Sequence, residues 1–154
     1  MKIECVFVGK TSDRYLDDGI IDFSKRLERY AQVSKKIVKD LKSKATDAEI
    51  TKIEGQAIVK AVSEDAYWVV LDPQGKNLSS EELAQQISQW QLQNRRIVSF
   101  IVGGSNGVSS EVLQRADFKL SLSKMTFTHD MTRLILLEQL YRAYSILAGS
   151  KYHK

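Results

Sequence analysis

The chain has 154 residues, 43% of them hydrophobic, which is enough for one core of ordinary size and too few for two independent domains with a linker. Its net charge of +4 and pI near 9.1 are compatible with a polyanionic partner. A single cysteine excludes an internal disulfide, no apolar run approaches the roughly 18 residues of a membrane span, and the chain opens on a strand pattern instead of a leader, so a soluble cytoplasmic protein is expected.

Residues 2–8 read as a buried strand, and the run Ile3-Glu4-Cys5-Val6-Phe7 makes Cys5 a small core residue rather than a nucleophile. Across residues 12–30, Leu16, Ile20, Phe23, Leu27 and Tyr30 fall at helical spacing. A weaker strand follows at 33–38, then a helix over 47–62 with Ile50, Ile53, Ala57 and Ala61 on one side. Between residues 25 and 60 ten basic side chains stand against five acidic ones, the composition of a solvated face.

Residues 66–72 and 97–102 are short runs of β-branched and aromatic side chains, as expected of buried strands. Between them, Ser79-Ser80-Glu81-Glu82 is a capping-box pattern ahead of Leu83, Ile87 and Trp90. Ser109 or Ser110 can cap a shorter helix carrying Val112 and Leu113, and residues 118–122 form a second weak strand. The last helix, about 131–147, is apolar nearly all round and stops at Gly149. Strand and helix alternate about five times, which predicts an α/β fold over residues 1–154: a mainly parallel sheet with helices on both faces.

In such sheets ligands sit beyond the carboxyl ends of the strands. Three strand ends carry unusual loops, at 72–76 (Asp-Pro-Gln-Gly-Lys), 103–107 (Gly-Gly-Ser-Asn-Gly) and 123–129 (Ser-Lys-Met-Thr-Phe-Thr-His). The second fits G-x-S-x-G, with Asp117 and His129 following in the Ser, Asp, His order of a hydrolase. The cap signal at Ser109 or Ser110 argues against it, because a nucleophile elbow starts its helix at the serine. A dinucleotide turn is also disfavoured: the glycines at 103, 104 and 107 do not give G-x-G-x-x-G, and no acidic residue ends the next strand. A third reading takes the loops together as a pocket for an adenosine-type ligand, with main-chain groups reading the base and Leu71 as an apolar wall. With one cysteine, two histidines and no close carboxylate set, a structural zinc site is not expected.

The runs LDPQGK (71–76), GGSNG (103–107), SLSKMTFTH (121–129) and EQLYRAY (138–144), with the terminal YHK, resemble the RlmH type of the SPOUT superfamily. That bacterial family methylates N3 of a pseudouridine in large-subunit ribosomal RNA. The resemblance covers the whole chain and implies a homodimer with a carboxyl-terminal trefoil knot that holds S-adenosylmethionine. Position by position, it implies cofactor contacts at Leu71, Gly103, Leu122, Ser123, Lys124, Met125, Thr126 and Phe127. The chain departs from many members of the family at Thr128, where they carry proline.

Methylating a ring nitrogen requires its lone pair in line with the methyl carbon, so positioning should supply much of the rate. Loss of the imide proton leaves charge on the flanking carbonyls, which calls for nearby cations or N–H donors and a modest base. His129, Tyr152 and His153 are accordingly assigned to the target base, and Arg133 and Arg142 to phosphate or the pyrimidine carbonyls. The two arginines, nine residues apart on one helix, point about 180° apart; a dimer lets each serve a different site. Leu134, Leu137, Tyr141 and Tyr144 are candidates for the dimer face. With no separate RNA-binding domain, the substrate is expected to be the ribosome rather than free RNA.

Overall fold

A computed structural model describes all of residues 1–154. The strands are β1 (Lys2–Val8), β2 (Gln32–Val38), β3 (Tyr67–Asn77), β4 (Ile97–Val102) and β5 (Phe118–Ser121). The helices are α1 (Arg14–Leu27), α2 (Asp47–Ala61), α3 (Ser80–Leu92), α4 (Ser110–Arg115) and α5 (His129–Leu147). The sheet runs in the order β2-β1-β4-β3-β5, and every pairing is parallel.

The alternation along β1 decides how the layers form. Ile3, Cys5 and Phe7 enter the larger core with side chains of α1, α3 and α5, while Val6 and Val8 enter a smaller one with Ile58 of α2 and Val112 of α4. Three helices thus cover one face and two the other. Burial pushes the Cys5 thiol up to about 12, which removes it from nucleophilic chemistry. Glu4 points to the smaller core and is fully buried. Burial alone would raise its pKa, but an ion pair from Lys36 at 2.8 Å and hydrogen bonds from Ser63 N–H (2.9 Å), Ser63 Oγ (2.6 Å) and Ser99 Oγ (2.7 Å) lower it to about 2. One carboxylate therefore ties together β1, β2, β4 and the turn after α2.

Local signals account for most helix starts. Ser79 and Glu82 form the expected capping box, and a second box at Thr46 and Glu49 opens α2. Ser109, not Ser110, caps α4 by accepting from Val112 N–H. Thr128 caps α5 by accepting from Met131 N–H, so the helix begins at His129, two residues earlier than the periodicity indicates. Threonine at position 128 is thus consistent with the local geometry.

The loop expected at 72–76 is a bulge inside a longer β3. Leu71 and Lys76 both lie opposite Leu120, and the four residues between them loop out of the ladder. Gly75 crosses so close to β5 that a Cβ would sit 2.7 Å from the carbonyl of Lys119. Since that neighbour is backbone and cannot yield, glycine is required there.

The last helix packs on α1 and α3, and Leu136, Leu137, Leu140, Tyr141, Ala143 and Tyr144 are all buried within the chain's own core. Three of the four side chains expected at a dimer face are therefore already covered, and Leu134 packs half-buried against Gly19 of α1. The half-open face of α5 instead carries Met131, Ile135, Glu138, Arg142 and Ile146. No helix is long and apolar enough to cross a membrane.

Candidate active site at the carboxyl ends of the strands

The three unusual loops meet. The bulge after Leu71, the glycine turn after Val102 and the segment after Ser121 enclose a cleft of about 530 Å³, within the usual range of small-molecule sites. Of the residues expected to hold a cofactor, Leu71, Gly103, Leu122, Ser123, Met125, Thr126 and Phe127 line it, and Lys124 does not: its side chain is exposed. Asp72 and Pro73 of the 72–76 loop and Ser121 line it too, as do Val102 and Thr132, which no motif singled out.

The glycine turn closes tightly. Gly107 N–H donates to the Gly104 carbonyl at 3.0 Å, and a Cβ on Gly103 would lie 2.4 Å from the Gly107 oxygen. Gly107 itself takes a positive φ of 77°. Across the cleft, no main-chain group of residues 122–127 pairs with another main-chain group; the Ser123 carbonyl accepts from Ser121 Oγ and Met125 N–H donates to Ser123 Oγ. Free amides and carbonyls beside apolar walls of Leu71, Val102, Leu120 and Leu122 suit a ligand with a flat heterocycle and polar edges. Met125 stands on the rim 76% exposed, an apolar side chain with room to close over such a ligand.

The hydrolase constellation does not assemble. Asp117 precedes β5, at the opposite end of the sheet from His129, and its carboxylate accepts from Trp68 N–H at 2.8 Å. No hydrogen bond links Ser105 to His129, and the helix after the turn starts only at Ser110.

His129 sits at the mouth of the cleft, its Nε2 3.4 Å from Asp130 Oδ1. Asp130 in turn accepts from Ser12 N–H at 2.9 Å and lies 3.2 Å from Arg133 Nη1. Arg133 corrects the sequence reading. Its side chain is fully buried, donating to the Val8 carbonyl and to Thr11 Oγ1 at 3.1 Å and stacking 5.1 Å from the Phe7 ring. Burial pulls its pKa down and the charges of Asp130, Asp17 and Asp40 oppose that shift. Arg133 thus pins the start of α5 to the loop after β1 and has no surface with which to hold phosphate.

The other assigned residues gather at the far end of α5. Arg142 follows His129 by 13 positions, which at 1.5 Å per residue is about 20 Å along the helix. There Glu138 Oε1 accepts from Arg142 Nε at 3.1 Å and from the Tyr152 hydroxyl at 3.0 Å. The hydrogen bond to Glu138 raises the Arg142 pKa, while burial and the same carboxylate raise that of Tyr152. Tyr152 lies beneath the Arg142 guanidinium at 4.7 Å and edge-on to Tyr141 at 4.7 Å. His153 accepts through Nδ1 from Arg142 (3.4 Å) and donates through Nε2 to Glu81 (2.9 Å), which requires the Nε2–H tautomer. The terminal residues are docked, not frayed, on α3 and α5, and they are not among the residues that line the cleft of their own chain.

Comparison with known proteins fits this geometry. Residues 1–153 match the family model described as "Predicted SPOUT methyltransferase". The chain is 47% identical over 154 residues to "Ribosomal RNA large subunit methyltransferase H" of Desulfotalea psychrophila, covering 100% of both chains. It is 46% identical over 159 residues to the protein of the same name from Carboxydothermus hydrogenoformans, again covering 100% of both. Among solved structures, a probable methylase family protein from Haemophilus influenzae superposes with a TM-score of 0.54 at 14% identity, over 99% of this chain and 70% of that one. That last likeness speaks for the fold alone.

Proposed function

The chain belongs to the SPOUT methyltransferase family, and from that premise we propose that it methylates large-subunit ribosomal RNA with S-adenosylmethionine, at N3 of a pseudouridine, as a cytoplasmic homodimer acting on the ribosome. The observation that carries the reading is the convergence of Leu71, Gly103, Leu122, Ser123, Met125, Thr126 and Phe127 on one cleft, with main-chain groups not paired to other main chain. Those residues fit the cofactor: amides and carbonyls of 122–127 would hold the adenine edge, and Leu71 and Leu122 its faces. When bound, S-adenosylmethionine supplies an electrophilic methyl on a sulfonium. We place it in a carboxyl-terminal knot built from these loops.

The chain's own residues provide orientation and charge. His129, at the cleft mouth and oriented by Asp130, is the local group within reach of a base proton. Arg142 stands about 20 Å from His129 along the helix, and Tyr152 and His153 dock beside it rather than in the same cleft. In the dimer the tail of one protomer serves the cleft of the other, through the half-open face of α5 with Met131, Ile135 and Ile146. Arg142 then stabilises negative charge on the pyrimidine carbonyls or binds phosphate, released from Glu138 by the substrate.

Calorimetric titration with S-adenosylmethionine and transfer of labelled methyl to ribosomal particles test this together. Saturable heat and label in large-subunit RNA are expected. No heat at millimolar ligand would favour a non-catalytic ribosome-binding factor on the same fold, and equal rates on protein-free RNA would remove the ribosome as the substrate.

A further inference from the structure

A second cleft, of about 760 Å³, opens where the loops after β1, β2 and β4 meet. It lies at the place where the sheet reverses its winding. β1 and β4 are adjacent, Phe7 opposite Val102, yet α1 after β1 packs on one face of the sheet and α4 after β4 on the other. Such a switch point leaves a crevice that parallel α/β proteins use for ligands.

Its chemistry is that of an anionic ligand with a hydrogen-bond donor at one end. Lys10, Lys39 and Lys42 line it, all exposed, against the carboxylates of Asp40 and Glu54. Glu54 is only 6% exposed, and no cation lies within ion-pairing distance of it. One oxygen accepts from Leu41 N–H at 3.1 Å. The other, Oε2, faces Gly104: a Cβ there would sit 3.3 Å from it and 3.3 Å from Val8. Oε2 has no hydrogen-bond partner within the chain and opens on the cleft, so it is available to a donor from a ligand. Gly104, Ser105 and His129 border this cleft and the cofactor cleft alike, so only a thin partition separates the two.

Resting on the function proposed above, we propose that this second cleft seats the target ribonucleotide. Glu54 Oε2 accepts a ring N–H of the base, and Lys39 and Lys42 hold the flanking phosphates. A pyrimidine with a carbon-linked sugar carries two ring N–H groups where uridine carries one. With N3 turned toward the cofactor cleft, N1–H is left for Glu54, where uridine has a glycosidic nitrogen with no hydrogen, so the carboxylate distinguishes the two bases.

The test uses the full chain carrying Lys39→Ala with Lys42→Ala, and separately Glu54→Gln. Three readouts are taken: calorimetry with S-adenosylmethionine, filter binding to large ribosomal subunits across a salt series, and methyl-transfer kinetics. The lysine pair should leave cofactor affinity unchanged, weaken particle binding roughly ten- to thirty-fold at 0.15 M salt, and reduce the slope of log affinity against log salt by about 1.5 to 2. Glu54→Gln should keep particle binding near wild type and lower kcat about 100-fold. A wild-type salt slope and KM in the lysine variant, or a wild-type kcat in Glu54→Gln, would overturn the proposal. Should the unaltered protein transfer no methyl at all, the function reading fails, and the filter-binding comparison still decides the cleft: equal slopes remove it, a reduced slope keeps it. Because both lysines are exposed, that variant tests the site even if Glu54→Gln weakens the fold.

Discussion

The two ends of α5 each hold an arginine, and the pair shows what burial does to a shared chemistry. Arg133 is enclosed: its Nη groups donate to the Thr11 hydroxyl and the Val8 carbonyl, the Asp130 carboxylate lies 3.2 Å away, and Nε has no partner. Arg142 is partly open and rests on Glu138, an exchangeable partner one helical turn away. The first guanidinium joins the start of α5 to the loop after β1; the second, which we propose leaves its carboxylate for substrate, stays within reach of solvent. Identical residue types nine positions apart thus sit in different surroundings.

Removing the enclosed cation should have the largest effect on stability. Arg133→Ala leaves Asp130 buried without its partner and should cost about 3–5 kcal/mol in urea unfolding. Arg133→Lys should recover only part, since an ammonium cannot reproduce the planar fork that meets Val8 and Thr11 together. If either variant kept full stability but lost activity, the contrast between the two ends would collapse.

Arg142→Ala should reverse that pattern. The half-buried i, i+4 pair with Glu138 contributes about 0.5 kcal/mol, whereas methyl transfer should fall about 100- to 1000-fold with cofactor affinity unchanged. Mixing Arg142→Ala protomers with protomers that cannot bind cofactor should restore activity in the mixed dimer. No recovery would mean that each chain completes its own cleft.

Glu4 supplies a comparison within the core. Its folded carboxyl titrates near 2 against an ordinary 4.5, so its contribution to stability is complete above about pH 4.5 and is lost as the pH falls toward 2. Glu4→Gln should lower stability at neutral pH and flatten the acid limb of a pH–stability curve. The smallest effect belongs to Tyr152→Phe, which removes one hydrogen bond to Glu138 and should cost about 1 kcal/mol or less. Its loss of methyl transfer should exceed that figure if the tail serves a partner's cleft.

Much of this was legible in the sequence where the information is local. The alternation of β1, the bounds of β4 and the box at Ser79 and Glu82 depend on neighbours within a few residues, and the structure reproduces them. The 180° separation of Arg133 and Arg142 was also readable, though not which of them faces inward. That depends on α1, α3 and the loop after β1, which no periodicity of α5 can name. For the same reason Leu137, Tyr141 and Tyr144 looked available to a second subunit and are instead core. The bulge at 72–75 arises from backbone crossing backbone, and the second cleft joins Lys10, Lys39, Glu54 and Gly104 from four distant segments. The first showed in the sequence only as an unusual loop, and the second leaves no contiguous motif.

The most direct test of the central claim is mass mapping of large-subunit ribosomal RNA from a strain lacking this protein, with and without a restored copy. Loss of a single methyl at one pseudouridine, regained on complementation, is the predicted result. A methylation map unchanged by the deletion would contradict the account.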